Sequence, residues 1–205
     1  MVQIHDASPL APYATRELLH RYGLASADHK RRGRTWYDAA RRECRRIARE
    51  TGISYAKVAA VLAITSPDAQ LVTNVEWTDA ICRGGRPSMA GRYPSDQAPK
   101  VRAALKARHP GRYASGPKVQ AFYRAICGDT DGLVIDRWAA YAAGGNRDAA
   151  PSAKARRALE SAYRAAAAKV GETVRDFQAI VWIQARETTP SKRHGIVHRL
   201  QDITA

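Results

Sequence analysis

The chain has 205 residues, of which 34 are Lys or Arg and 19 are Asp or Glu, giving a formal net charge of +15. Hydrophobic residues make up 45% of the sequence, enough to build a core, which excludes wholesale disorder. No run approaches the roughly 18 apolar residues of a membrane-spanning helix, and the first residues lack a basic stretch followed by an apolar one. We therefore expect a soluble protein of the cytoplasm that has no membrane partner.

The excess of positive charge predicts a polyanionic partner. Arg outnumbers Lys by 26 to 8, which a GC-rich genome could explain, but codon bias does not explain the excess of positive over negative charge. Nucleic acid is the commonest polyanion, and an acidic protein or a membrane surface is the alternative. Much of the excess falls at 29–34, 41–49 and 191–200.

The three cysteines, Cys44, Cys82 and Cys127, are far apart and form no CxxC pair. This spacing argues against a disulfide framework, a zinc ribbon and an iron–sulfur cluster. We interpret them as ordinary buried thiols and expect neither a cofactor nor a metal.

Helical periodicity predicts an all-α fold. Apolar residues recur at steps of three and four, and the apolar run at 133–135 is too short to found a sheet. Ser66 and Pro67 have the pattern of a helix cap and a first helical residue. The predicted helices, about eight in number, cover 35–50, 55–64, 67–82, 100–107, 117–127, 137–143, 153–170 and 174–186, and the second of them is apolar almost all round, as a central core helix would be.

The same patterns predict the domain organisation. Residues 35–186 form one helical domain, preceded by a basic N-terminal arm at 1–34 and followed by a basic C-terminal tail at 187–205. The polar, basic composition of both ends favours mobile arms or irregular wraps.

One arrangement of residues is informative about function. GPKV at 116–119 opens an amphipathic helix, the turn-rich GDTDG follows at 128–132, and Asp136 closes an apolar LVI run. This pattern resembles the helix-hairpin-helix DNA glycosylases, the superfamily of endonuclease III, the adenine glycosylases and the oxoguanine glycosylases. The upstream stretch VAAVLAITSPDAQLVTNVEW also looks like that family's buried helix, its corner and the following helix. The resemblance covers about residues 54–143 in two blocks.

The resemblance implies a two-lobed helical bundle without an iron–sulfur cluster, and the chain would be a trimmed, divergent member. Two residues depart from the family pattern. Ala114 stands where the hairpin has its first glycine, and Trp138 stands where the family has a histidine two positions after the aspartate.

The hairpin is the expected DNA-binding element. A Gly-Pro turn at the start of a helix presents unpaired backbone N–H groups and the positive end of the helix dipole, which together favour a phosphate. The residues that we expect to contact DNA are Arg112, Tyr113, Ser115, Gly116, Pro117 and Arg137.

Lys118 and Asp136 are the candidate catalytic residues. The helix dipole favours the neutral, nucleophilic form of the Lys118 amine, which could attack a sugar C1′ and form a Schiff base. The Asp136 carboxylate could stabilise an oxocarbenium-like sugar or accept a proton from the nucleophile. As alternatives, Asp136 could be a helix cap paired with Arg137, and Lys118 could contact phosphate or only solvent.

A base extruded from a duplex needs a pocket with polar and aromatic walls. Tyr113 could act as a wedge, and His109 is the one histidine close to the hairpin. Trp36, Trp77 and Trp182 have core-like spacing. The residues that we expect to line the base pocket are Ser66, Gln70, Asn74 and Trp138.

The sequence therefore predicts a monomeric DNA glycosylase that excises a damaged or modified base from double-stranded DNA, with AP-lyase activity if Lys118 is the nucleophile. Two alternatives stay open. One is a helix-hairpin-helix protein that holds DNA without chemistry, and the other is a base-modifying transferase on the same scaffold.

Overall fold

The computed structural model describes residues 10–67, 69–85, 97–146 and 151–189. Within these ranges the chain is all-helical, without a strand, so the predicted fold class is confirmed for them. A 3-10 turn, Pro110–Tyr113, lies between the fifth and sixth helices. The helices are α1 (Leu10–Leu24), α2 (Ala27–Thr51), α3 (Tyr55–Thr65), α4 (Leu71–Cys82), α5 (Gln97–Lys106), α6 (Pro117–Ile126), α7 (Arg137–Ala142), α8 (Ala153–Val170) and α9 (Val174–Thr188).

The predicted N-terminal arm is wrong over residues 10–34, which form α1 and the first part of α2. Ala14 and Leu18 of α1 are fully buried. A Cβ added at Gly33 of α2 would lie 2.7 Å from the Cα of Ile180, so this glycine marks a close helix crossing and not a mobile stretch. The predicted C-terminal tail, apart from its first residues, and residues 1–9 lie outside the described residues.

The chain divides into two compact units. The first contains the described residues of Met1–Trp36 and Thr130–His194, and the second contains those of Tyr37–Asp129. Helix α2 runs from one into the other, because its first ten residues belong to the first unit and the rest to the second.

In the first unit, α1 packs against α8 and α9, and α7 packs against α9. Tyr163 and Phe177 lie at the centre of the core, with their rings edge to face at 6.1 Å between centroids. The buried Tyr163 hydroxyl donates a hydrogen bond to the carbonyl oxygen of Ala139 at 2.9 Å. This bond ties α8 to α7 inside the core.

In the second unit, α3 is the central helix. All of its residues from Val58 to Thr65 are buried, which confirms the prediction of a core helix. It packs against α4, α5, α6 and the 3-10 turn, so the elements of the predicted hairpin surround it.

The corner between α3 and α4 differs from its prediction. Ser66 follows the end of α3, and its hydroxyl donates to the carbonyl oxygen of Ala63 at 2.8 Å, so it does not cap a new helix. Pro67 lies in the turn, and α4 begins only at Leu71. Buried hydrogen bonds between Asn74 and α3, one donated by Asn74 and one by Thr65, fix this geometry. Such tertiary contacts are not visible in a local start signature. Asp68 lies outside the described residues.

None of the helices within the described ranges combines the length and apolar character needed to cross a membrane.

Candidate nucleic-acid interface

Helix α5, the connection at 107–116 and helix α6, which together we call the hairpin, belong to the second unit and pack against α3. A Cβ added at Gly111 would come within 2.8 Å of Cζ of Tyr123, so the hairpin turn packs directly on an α6 ring. With its amide oriented to satisfy both partners, the Gln120 side chain donates to the carbonyl oxygens of Ala114 at 2.7 Å and Gly111 at 3.1 Å. The turn is therefore held against α6. Neither Gln120 nor Gly111 was singled out by the sequence, although Gly111 lies in the turn-rich HPG.

The start of α6 has the geometry that the Gly-Pro pair predicts. Gly116 precedes the helix with a φ of 88°, a left-handed conformation that favours glycine, and Pro117 is the first helical residue. Gly116, the residue that precedes the helix, has no side chain with which to cap it. Because the first N–H groups of a helix have no intrahelical partner, this end can donate to an anion. Ser115, Gly116 and Pro117 are all exposed.

The hairpin also carries uncompensated positive charge. Residues 97–128 contain seven Lys or Arg and no Asp or Glu. Arg124 pairs with Asp129, which lies just beyond this range. Four of the others are exposed and form no ion pair with any described residue; these are Arg102, Lys106, Arg108 and Arg112.

Helix α2 provides a contrast, because many of its arginines are paired. Arg32 contacts both Asp28 and Glu187, and Arg34 contacts Glu172. Further along, Arg46 pairs with three carboxylates, those of Glu43, Glu50 and Asp79. The expectation that the charge at 29–34 and 41–49 faces a polyanion is thus weakened. The four exposed cations of the hairpin named above, in contrast, have no ion pair with a described residue.

A small open cleft of about 130 Å³ lies between the α3–α4 corner and the hairpin. It brings the predicted DNA contacts Tyr113 and Ser115 together with Pro67 of the corner. Lys100 also lines the cleft, and the sequence did not single it out as a site residue. The lining residues are Ile64, Pro67, Gln97, Lys100, Tyr113, Ser115 and Val119.

Two of the predicted pocket residues have structural roles in the corner. Asn74 is 2% exposed, and its amide donates to the carbonyl oxygen of Leu62 at 2.8 Å. The Thr65 hydroxyl donates to Oδ1 of Asn74 at 2.6 Å. Asn74 therefore holds α4 to α3 and does not face a pocket. Ser66 donates to α3 as described above, whereas Gln70 precedes α4 half-buried and makes no side-chain cap bond.

Asp136 begins α7 in the first unit. Its carboxylate accepts a hydrogen bond from the backbone N–H of Ala139 at 2.8 Å, so the predicted helix-cap role is confirmed. Arg137 is exposed, and Trp138 is half-buried with its ring edge to face with Tyr141 at 5.8 Å.

The predicted site residues are distributed over both units. Asp136, Arg137 and Trp138 belong to the first unit, while Lys118, the hairpin and the α3–α4 corner belong to the second. Lys118 lies half-buried in the first turn of α6, where the sequence predicted it.

Histidines and cysteines do not form a metal centre in the described part of the chain, where no group of three or more His, Cys, Asp or Glu residues is placed to hold an ion. Burial raises the pKa of the Cys44 thiol to about 12 and that of Cys82 to about 11. Cys127 is exposed, so the expectation of three buried thiols is wrong for this residue.

Comparisons with known proteins identify a family but not an activity. Neither the search of curated proteins nor the search of solved structures found a match. Residues 2–189 match a protein family described as "Family of unknown function (DUF7178)", which covers almost the whole chain. The chain therefore belongs to the DUF7178 family.

Proposed function

We propose that this protein is a DNA glycosylase that excises a damaged or modified base, with its helical hairpin as the DNA-backbone contact. The observation that carries the proposal is the hairpin itself. The helix start at Gly116 lies on a segment, residues 97–128, that contains seven basic residues and no acidic one. Four of the seven basic residues have no ion-pair partner in the described chain. Phosphate neutralisation by such groups supplies sequence-independent affinity for DNA.

The base-excision step is assigned to Asp136. Its carboxylate is half-buried at the end of the buried apolar residues 133–135. In the proposed reaction, the N-glycosidic bond breaks and the bonding electron pair leaves with the base. The carboxylate stabilises the positive charge on the sugar and accepts a proton from the attacking water, while the departing base takes up a proton.

The lyase step is assigned to Lys118. A neutral amine at this position would attack C1′ in place of water; the N-glycosidic bond breaks, and its electron pair and a proton from the amine leave with the base. The C1′–O4′ bond then breaks as the amine nitrogen forms a Schiff base with C1′, and O4′ takes up the second amine proton. Borohydride would reduce that imine to a stable secondary amine. The exposed terminus of α6 beside Lys118 supports the assignment, because it can hold the phosphate that flanks the target sugar.

A second candidate function is DNA binding without chemistry. Its specific support is the hydrogen bond between Asp136 and the N–H of Ala139, which shows that this carboxylate has a structural use. The chain also departs from the pattern of the helix-hairpin-helix glycosylases at Trp138, where the resemblance implies a histidine.

The two functions are separated by incubation with duplexes that each contain one modified base or an abasic site, followed by borohydride trapping. Base release, or a trapped adduct with abasic DNA, supports the glycosylase. Tight, salt-sensitive binding without either product across a broad panel supports the binding protein. Absence of both binding and product would contradict both functions.

A further inference from the structure

Arg186, near the end of α9, lies close to two tryptophan rings of the first unit. The guanidinium carbon is 4.7 Å from the ring centroid of Trp182, four residues earlier on the same helix. It is also 5.5 Å from the ring centroid of Trp138, on α7. Trp182 in turn packs edge to face on Trp36 at 6.0 Å.

The stack continues beyond Trp138. The Trp138 ring contacts Tyr141 edge to face, and the guanidinium carbon of Arg21 lies 4.8 Å from the Tyr141 ring centroid. We call this group the arginine–aromatic stack; its members are Arg21, Tyr141, Trp138, Arg186, Trp182 and Trp36. It contains two cations and no acidic residue.

Arg186 makes no hydrogen bond and no ion pair to any residue in the described ranges. Its neighbour Glu187, in contrast, binds both Arg32 and His29. Burial lowers the pKa of Arg186 below its ordinary value, while the charge of Asp136 raises it and that of Arg137 lowers it further. Arg186 is half-buried, and none of its nitrogens is among the fully buried polar atoms that lack a hydrogen-bond partner, so its N–H donors are accessible to a ligand.

The geometry of the guanidinium restricts the ligand. Its carbon lies within 5.5 Å of the ring centroids of Trp138 and Trp182, and no residue in the described ranges accepts a hydrogen bond from it, so its N–H edge can bind a ligand. That edge matches two oxygens of a phosphate in a bidentate pair, and partial burial strengthens such a bond. The negative charge of Asp136 acts on Arg186 and raises its pKa, and the same charge would repel a bound anion. A singly charged phosphodiester therefore suits the site better than a phosphate dianion.

We propose that Arg186 binds a phosphodiester of the nucleic-acid backbone and that the arginine–aromatic stack holds its guanidinium in place. The proposal rests on the proposed function, since it places a DNA phosphate beside the candidate catalytic residue Asp136. Arg186 would then position the strand with respect to that carboxylate.

The test compares Arg186→Gln with Arg157→Gln, a matched loss of one positive charge at an exposed position of α8 that forms no ion pair with the described residues. Affinity for a duplex with an abasic site is measured by fluorescence anisotropy over a range of salt. We expect Arg186→Gln to weaken binding by about tenfold and to lower the log–log salt slope by about one. Arg157→Gln should stay within about twofold of the parent protein, because it removes the same net charge without a positioned contact. Equal effects of the two variants would overturn the proposal.

A second readout uses the tryptophans themselves. Ligand binding at Arg186 should change the intrinsic fluorescence of Trp138 and Trp182, and Arg186→Lys should keep the fold and the charge but reduce the response, because Lys lacks the bidentate edge. Titrations with DNA and with inorganic phosphate distinguish the two sources. A response to DNA that Arg186→Lys reduces supports the proposal, whereas a response to phosphate alone, or to neither, overturns it.

The outcome can be separated from that of the proposed function. If the protein binds DNA through Arg186 but releases no base, the phosphodiester site stands and the glycosylase fails. If the protein releases base while Arg186→Gln binds DNA as the parent does, the phosphodiester site fails and the glycosylase stands.

Discussion

The carboxylate of Asp136 accepts the backbone N–H of Ala139 at 2.8 Å and thereby caps α7. The same carboxylate is the candidate group for cleavage of the glycosidic bond, so one side chain would serve both the helix and the reaction. These two roles need different properties. The cap needs only a hydrogen-bond acceptor, whereas stabilisation of a cationic sugar needs a negative charge.

Asp136→Asn separates the roles. Asn caps helices about as well as Asp, so the melting temperature should stay close to that of the parent, while base release should be lost because the charge is gone. Asp136→Ala should lose base release and also the helix cap, and the missing cap should cost about 1 kcal/mol of stability. Thermal melting and a base-release assay check the pair. Normal base release by Asp136→Asn would show that the carboxylate is not catalytic.

Local sequence signals predicted the cap of α7 correctly, because it depends on one side chain and the next turn of helix. Asp136 accepts the expected backbone hydrogen bond from Ala139. The α3–α4 corner was predicted wrongly, because the partners of Asn74 lie on another helix. The N-terminal arm was predicted wrongly over residues 10–34 for the same reason, since the close approach of Ile180 to Gly33 comes from a helix far along the chain.

Prediction of the candidate site from the sequence is limited in the same way, because local preferences are visible and long-range contacts are not. The Gly-Pro start of α6 could be predicted because Gly and Pro have strong local preferences. The sequence could not predict which basic residues are neutralised by ion pairs, as many on α2 are. Such pairs, for example Arg34 with Glu172, join segments that are distant in the sequence. The contact of Arg186 with Trp138 likewise depends on the packing of α7 against α9.

Lys118→Ala tests the lyase assignment, with Lys106→Ala as its control. Both remove one lysine from the α5–α6 hairpin, but only Lys118 lies at the start of α6. We expect Lys118→Ala to abolish borohydride trapping on abasic DNA, and Lys106→Ala to retain it. Base release can persist in Lys118→Ala, because water can replace the amine. Undiminished trapping by Lys118→Ala would assign the nucleophile to another residue.

Charge removal on the hairpin should weaken DNA binding at all sequences. Arg108 and Arg112 are exposed and lack an ion pair within the described chain, whereas Arg83 in the same unit pairs with Asp79 and Glu50. Each phosphate contact contributes about 0.9 to the log–log salt slope, so the double change Arg108→Gln with Arg112→Gln should lower the slope by about two. Anisotropy titrations at several salt concentrations measure it.

The control for the hairpin is Arg83→Gln, which removes a paired charge and should change the slope little. If Arg83→Gln and the hairpin variant weaken binding equally for each charge removed, the effect comes from net charge alone, and the hairpin is not the contact surface.

Gly33→Ala should strongly destabilise the protein. The new Cβ would lie 2.7 Å from both the Cα and the backbone N of Ile180, and backbone atoms cannot move aside as a flexible side chain can. Overpacking of this kind costs about 1–3 kcal/mol. Urea unfolding followed by circular dichroism measures the loss. Gly23→Ala is the control, because nothing lies within 4 Å of its added Cβ, and we expect it to be neutral or stabilising by up to about 1 kcal/mol. A Gly33→Ala protein as stable as the parent would contradict the close crossing.

The stability of the first unit should fall at acidic pH through Glu187. The hydrogen bond from Arg32 is the largest cause that holds the pKa of Glu187 below its ordinary value of 4.5, and His29 contributes as well. Because the pKa is lower in the folded than in the unfolded state, the stabilisation is complete above the unfolded value. It is lost as the pH falls through the folded value.

Unfolding free energies of the parent and of Glu187→Gln, measured from pH 7 down to about pH 3, test this linkage. We expect Glu187→Gln to be less stable at pH 7 and to lose less stability on acidification, so that the two curves converge at low pH. Glu160→Gln is the control, because Glu160 forms no ion pair with the described residues and its replacement should leave the pH dependence unchanged. Parallel curves for the parent and Glu187→Gln would show that the pairing of Glu187 with Arg32 does not contribute to the acid sensitivity of the fold.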